Sequence, residues 1–329
     1  MQRGRVGNFF AVVEIRTKLV SLSSFLLGTF YPWWRVGMFL PASGKIPSHS
    51  LLRGVIMFLS TLCVDMGTTA WNTYFDYLRG TDDPRVNREP DKVLIHGELP
   101  PSYAFWTAFW LYIAAMVGGL VLSFQVGFWI LPVGAVCMAV GFFYNAGPLP
   151  ISHTPVGELF AGGFLGSGLF LISWGVQIAG DGGLGGMLGR VGIDTGVGEA
   201  NFFPALGASI PGGLAVASIL AVNNACDVEG DQLAGRKTFA VLFGRTAGEA
   251  LALGLALLAS LGGVVLSLIG VLPGKGIYTF PVSVLFTLYQ FYRIHQAGFS
   301  HSTKSQNMKS ILQVFGVWSL AYGGILLLR

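Results

Sequence analysis

The chain has 329 residues, 53% of them hydrophobic and only 11% charged. A mean hydropathy of +0.63 excludes an ordinary soluble globular protein. The net charge of +4 is scattered without a Lys/Arg-rich run, so nothing points to a nucleic-acid partner. Cys63, Cys137 and Cys226 are odd in number and lack CxxC spacing, which indicates neither a disulfide framework nor a zinc site.

Apolar runs long enough to cross a bilayer recur along the whole length. In chain order they predict about nine spans, roughly 17–34, 51–75, 102–124, 126–145, 156–179, 203–225, 247–270, 277–296 and 308–328. Arg3 and Arg5 precede a short apolar stretch broken by Gly and Asn, read as a lead-in to the first span and not as a signal peptide. Gly162 and Gly166 form a GxxxG in the fifth span, a pattern for close helix packing. The Gly-rich segment 180–201 reads as an exposed loop; its GxGxxG follows no strand and is a matter of composition. Fourteen basic residues fall on one side of this arrangement and six on the other, which puts the N-terminus and the charged loops in the cytoplasm.

Charge concentrates between Asp65 and Lys92. If the first part of that stretch is helical, Asp65, Asn72 and Asp76 lie within roughly a 40° arc of one face. Asp82, Asp83, Arg85, Arg88 and Lys92 follow. A helix end meeting water accounts for the last of these but not for Asp65, whose carboxylate sits deeper, where charge is costly. The pattern repeats: Asn72-x-x-x-Asp76 closes the second span, Asn223-x-x-x-Asp227 closes the sixth, and each is followed by another carboxylate and then by cations. Two four-helix pseudo-repeats plus a final helix, around a central cavity, would bring the two motifs face to face. The expected fold is therefore an all-α membrane protein of about nine transmembrane helices, with residues 1–329 as one domain.

Acidic clusters that face each other must bind something positive. Mg²⁺ fits, because it takes oxygen ligands, one or two carboxylates and a substrate phosphate. Asn72 and Asn224 offer neutral oxygens or orient water, and Asn224, Asp227 and Asp231 share a helical face at spacings of three and four. Arg79, Arg85, Arg88, Lys92, Arg236 and Lys237 are placed to hold a diphosphate. In a membrane the rest of that substrate would be lipid.

Three ordered segments carry a family resemblance: NTYFDYLRGTD from Asn72, YNAGPLPISHTPVGE from Tyr144, and NNACDVEGD from Asn223 with Arg236, Lys237 and Thr238 behind it. The chain resembles, over nearly its whole length, the UbiA-type superfamily of intramembrane polyprenyltransferases. The resemblance implies Mg²⁺ as cofactor, a polyprenyl diphosphate as donor and an aromatic ring as acceptor. It marks Asn72, Asp76, Asp82, Asp227 and Asp231 as catalytic, with the four aspartates as Mg²⁺ ligands. Arg79, Arg88, Lys92, Arg236 and Lys237 then take the diphosphate, and Tyr144 and Asn224 face the acceptor or the allylic cation. The arrangement of Asn72, Asp76, Gly80 and Asp82 looks more like the 1,4-dihydroxy-2-naphthoate branch of menaquinone synthesis than the 4-hydroxybenzoate branch, and EIRTK from Glu14 and PLPISHTP from Pro148 look like that branch too. Cys226 stands where some relatives carry Arg. The implied location is the bacterial cytoplasmic membrane, with the motifs on the cytoplasmic side.

Other features have plainer readings. Glu158 begins the fifth span and suits its N-terminal dipole. Arg16 and Lys18 read as topology signals. His96, His153, His295 and His301 lack zinc spacing. The rivals are a superfamily member with another acceptor (4-hydroxybenzoate, homogentisate, haem or a glycerophosphate lipid) and a cation-coupled transporter, since intramembrane carboxylates in repeated halves also suit ion pathways.

Overall fold

The computed structural model describes residues 4–35, 48–80, 93–94, 99–179 and 202–327. Asp82, Arg88 and Lys92 of the candidate site lie outside the described residues, as do Asp83, Arg85, His96 and the loop 180–201. Among the described residues the chain is helical, without strands. The helices are α1 (Arg5–Val12), α2 (Leu19–Arg35), α3 (Ser48–Arg79), α4 (Pro101–Val126) and α5 (Ile130–Phe143). After them come α6 (Gly157–Ile178), α7 (Phe202–Cys226), the short α8 (Val228–Leu233) and α9 (Phe239–Phe243), then α10 (Arg245–Leu268), α11 (Gly276–Ala297) and α12 (Lys304–Leu327).

Each of the expected spans falls on a helix. Six (α3, α4, α6, α7, α10 and α12) are long and apolar enough to cross a membrane by length and composition. Of the other three, α5 has 14 residues and α2 has 17, and α11 carries Arg293 and His295 near its end.

The burial pattern inverts that of a soluble protein. Large side chains such as Trp106, Trp110, Phe124 and Leu285 point outward, while the inner face of α7 is built from Ala205, Ala208, Ser209, Gly212, Gly213 and Ala217. Lipid is as apolar as leucine, so association rests on close backbone approach and polar contacts, which small residues permit. At Gly162 and Gly166 a Cβ would overlap backbone atoms of Gly213, so the expected close packing is between α6 and α7. Gly162–Gly168 runs as a π-helical segment inside α6, a distortion often found near functional sites.

One end of the bundle is closed by Arg53 and Arg35, two of the basic residues expected on the side away from the charged loops. Arg53, 6% exposed, donates to the carbonyls of Ala179 and Gln125, just where α6 and α4 end. Helix C-termini leave carbonyls without partners, and a cation there satisfies both the hydrogen bonds and the dipole. Arg35 donates to the carbonyl of Gly270 at the end of α10. The acidic motifs gather at the opposite ends of α3 and α7.

Candidate active site

The first motif lies on the last three turns of α3. Asp76, 7% exposed, accepts from Asn145 Nδ2 at 3.0 Å and from Arg236 at 3.2 Å, both through Oδ1. The same guanidinium contacts Asp231 Oδ1 at 3.4 Å. One cation therefore joins the first carboxylate motif to the second, across 160 residues of sequence. Thr238 Oγ1 donates to the other oxygen of Asp231 at 3.3 Å. Burial pushes the Asp231 carboxyl up to about 6, against the opposing pull of Arg236.

The second motif departs from the expected single helical face. Helix α7 stops at Cys226, and Asp227 takes a non-helical conformation (φ −106°, ψ 17°) before α8 begins. Aspartate is favoured at such a junction, but the side chain is used elsewhere. Its oxygens receive Lys304 Nζ at 2.6 Å and His301 Nδ1 at 3.0 Å, from the turn between α11 and α12. The break thus turns Asp227 toward α12 and Asp231 toward α3. Cys226 is fully buried, with its sulfur facing Asn307 of α12 at 3.5 Å.

The Tyr144–Glu158 segment lies between the motifs and ties them together. Asn145 reaches Asp76 at one end, and at the other Asn224 Nδ2 donates to Glu158 Oε1 at 2.9 Å. In the middle, the carbonyl of His153 accepts from the backbone of Lys237 at 2.9 Å. Arg79 donates to the carbonyls of Asn145 and Gly147, and its guanidinium sits 5.9 Å from the Phe75 ring. Its fork is thus engaged with the segment's backbone. The Lys237 side chain is exposed. His153 is driven down to about 4, first by burial and then by Arg236 and Arg79, so its ring is neutral at pH 7.

Several buried polar atoms in this region have no hydrogen-bond partner: Asn72 Oδ1, Asn145 Oδ1, Glu158 Oε2, His153 Nε2 and Arg236 Nε. Such atoms are costly to leave unpaired, and clusters of them mark places that receive a ligand. Among the described residues, no three acidic, His or Cys side chains converge on one point. The donors do fit a hard cation: two carboxylates already share one positive group, and the amide oxygens of Asn72 and Asn145 stand beside them unpaired.

Residues 32–319 match the profile of the UbiA prenyltransferase family. The chain belongs to that family. It is 32% identical over 194 residues to a 1,4-dihydroxy-2-naphthoate octaprenyltransferase of Bacillus subtilis, covering 59% of this chain and 56% of the relative. It is 28% identical over 114 residues to a protein of the same name from Mycobacterium tuberculosis, covering 35% and 38%. The matched stretches thus span about half or less of those relatives. Among solved structures, a UbiA homolog from Archaeoglobus fulgidus bound to DMAPP and Mg²⁺ superimposes with a TM-score of 0.61 at 16% identity, covering 97% of this chain and 99% of that one. A UbiA homolog from Aeropyrum pernix gives 0.61 at 16%, covering 91% and 97%. At such identities the likeness is one of fold.

Sequence reasoning found the two motifs and the segment between them, but missed four of their partners. Asn145 and Glu158 lie inside a stretch that had been singled out, and a carboxylate one residue into an apolar span was a usable signal for the second. His301 and Lys304 gave no signal, because only the fold brings the turn before α12 to Asp227.

Proposed function

We propose that this UbiA-family chain is a prenyltransferase that moves a polyprenyl group from its diphosphate to 1,4-dihydroxy-2-naphthoate with Mg²⁺, releasing diphosphate and carbon dioxide. The observation that carries the reaction class is the meeting of Asp76 and Asp231 at the Arg236 guanidinium. The acceptor rests on the names of the two curated relatives and on the form of the first motif. The reading places the protein in the bacterial cytoplasmic membrane with this site on the cytoplasmic side, in keeping with the distribution of basic residues.

In this reading Asp76, Asp82 and Asp231 would hold the metal, with Asn72 supplying a neutral oxygen, and Asp227 would join them by exchanging Lys304 and His301 for the cation. Bound there, Mg²⁺ supplies charge stabilisation for the departing diphosphate. Arg236 is already in contact with both carboxylates and can turn its unpaired Nε edge to a phosphate oxygen; Lys237 is exposed at the next position, and Arg88 and Lys92 are assigned to the same diphosphate. Arg79 stiffens the Tyr144–Glu158 segment over the site. The neutral His153 adds no further positive charge there. Tyr144 and Asn224 line the acceptor side, where an aromatic face favours the carbon that becomes cationic, and a water-poor cavity protects it from hydrolysis.

A cation-coupled transporter would need its deeper carboxylate open to ions. Asp65 is closed instead by Lys18 at 2.9 Å and Ser21 at 2.5 Å. Membranes containing the protein, given Mg²⁺, a prenyl diphosphate and each of the naphthoate, benzoate, homogentisate and glycerophosphate acceptors, test the reading directly. Mass spectrometry should show a prenylated naphthoquinol product lacking the carboxylate. Prenylation of another acceptor in preference to the naphthoate would overturn the acceptor assignment.

A further inference from the structure

Glu158 has no role in the site as described so far. Its residue is 5% exposed, at the second position of α6. One oxygen accepts from Asn224 at 2.9 Å, and the other, Oε2, is buried without a partner. Asn224 is itself 7% exposed, and its own amide oxygen faces Asn223 at 3.5 Å. Asn224 lies two residues before α7 ends at Cys226, so the pair sits further into the helix than Asp227. On the same side, the Tyr144 hydroxyl lies 3.6 Å from where a Cβ on Gly157 would stand. An aromatic ring, a carboxylate oriented by an amide, and one unpaired oxygen thus stand together between the acidic mouth and the apolar interior.

We propose that Glu158 is the catalytic base of the acceptor subsite: its Oε2 accepts the hydrogen bond, and during reaction the proton, of a hydroxyl on the acceptor ring. The inference rests on the aromatic-acceptor reading above and adds the residue that makes the ring nucleophilic. A protonated ring hydroxyl donates electrons weakly, whereas its conjugate base attacks readily. A carboxylate fixed on one side by Asn224 is restricted to receiving on the other. The allylic carbon–oxygen bond of the prenyl diphosphate breaks, with its electron pair leaving on diphosphate. The ring carbon that bears the carboxylate forms the new carbon–carbon bond as the hydroxyl proton passes to Glu158, leaving a ring ketone. Expulsion of carbon dioxide returns the electron pair of its carbon–carbon bond to the ring, and Glu158 gives the proton back to the ring oxygen. Asn224 does not touch the reacting atoms and acts as a positioning residue.

The test uses the full chain in lipid nanodiscs with two acceptors, 1,4-dihydroxy-2-naphthoate and a halogenated analogue whose hydroxyl is more acidic. Glu158→Gln keeps the shape and the Asn224 contact but cannot take a proton. It should lower kcat for the naphthoate by about 100-fold or more. Mn²⁺ affinity, read by electron paramagnetic resonance, and the KM for prenyl diphosphate should both stay within about twofold. For the more acidic acceptor the loss should shrink by about tenfold, because that ring needs less help to ionise. Glu158→Asp should recover part of the activity, and Asn224→Ala should lower kcat by less than Glu158→Gln does. Equal losses with both acceptors would overturn the base assignment, and so would a fall in Mn²⁺ affinity or an unaltered kcat. If the wild type prenylates neither ring, the aromatic-acceptor reading fails and this inference with it; an active wild type with an equally active Glu158→Gln refutes this inference alone.

Discussion

Helix α3 carries two carboxylates, Asp76 buried and Asp65 partly buried, eleven positions apart in sequence on one stripe, and they are handled in opposite ways. Asp65 is closed. Lys18 Nζ, at 2.9 Å, and Ser21 Oγ, at 2.5 Å, take its two oxygens, and Lys18 also reaches Thr69 at 2.6 Å. Asp76 sits among groups left incomplete: it shares Arg236 with Asp231, and Asn72, Asn145 and Arg236 all keep buried atoms without partners. A buried charge whose hydrogen bonds are all local has nothing left to offer a ligand. A carboxylate held by a shared cation beside unpaired oxygens is arranged to exchange partners. Position on one stripe of one helix therefore does not decide role; the completeness of the hydrogen bonding does.

The largest expected difference between the two places is catalytic. Asp76→Ala and Asp231→Ala should each reduce prenyl transfer by at least about 100-fold, the scale of losing one preorganised electrostatic group. Both variants should insert and express normally. Asp65→Asn should keep most of the activity and an unchanged Mg²⁺ requirement. A shift in that requirement as large as the one caused by Asp76→Asn would erase the distinction between the two carboxylates.

The next effect runs the other way, in stability. Lys18→Met leaves Asp65 buried without its cation, which should cost about 3–5 kcal/mol. The double variant Lys18→Met/Asp65→Asn should regain much of that, since removing both charges relieves the penalty. Thermal inactivation of the reconstituted protein reads both. A double variant no more stable than Lys18→Met would mean that the pair contributes more than local charge neutralisation.

A third contrast appears with pH. Burial raises the Asp231 carboxyl from its ordinary 3.8 to about 6. The folded protein therefore holds a proton between about pH 4 and 6 that the unfolded chain has released. Stability from this group is fully present below the lower value and is lost as pH rises through the upper one. At pH 7.5 the ionised form is thus a net cost, and Asp231→Asn should be more stable than the wild type by about 3 kcal/mol. The gap should close as the pH is lowered toward 4. A gap that widens on acidification would show that the carboxylate is held by Arg236 more strongly than burial opposes it.

How far these differences could be read in the sequence varies by element. The helices were legible, because lipid-facing runs are apolar for their whole length and local in sequence. Both acidic motifs were legible for the same reason: Asn72 and Asp76, or Asn224 and Asp227, lie within four residues of each other. The depth of Asp65 made its carboxylate stand out, but its partner Lys18 reads in the sequence as a topology signal. Juxtamembrane lysines are usually that, and nothing local distinguishes one that folds back against α3. The break at Asp227 was not legible either. Spacings of three and four fit a continuous helix equally well, and the partners that Asp227 meets at the break, His301 and Lys304, lie far off in sequence.

That contact gives the smallest expected effect. Lys304 opens α12, where the helix dipole is positive and a lysine is ordinarily unfavourable. Asp227 offsets it at 2.6 Å, with His301 on its other oxygen at 3.0 Å. Lys304→Gln removes one partner of Asp227 but also removes a misplaced charge from the helix start. The two consequences oppose each other, so the net change in stability should lie within about 1 kcal/mol, as for most partly exposed pairs. On activity, the pair anchors the turn before α12 to the second motif, and its charges reach Asp231 only as minor influences beside burial and Arg236. Loosening it should raise the KM for prenyl diphosphate by a few-fold and leave kcat nearly unchanged. Steady-state kinetics on Lys304→Gln and His301→Gln separate the possibilities. A fall in kcat as deep as that of Asp231→Ala would move Lys304 from the frame of the site into its machinery.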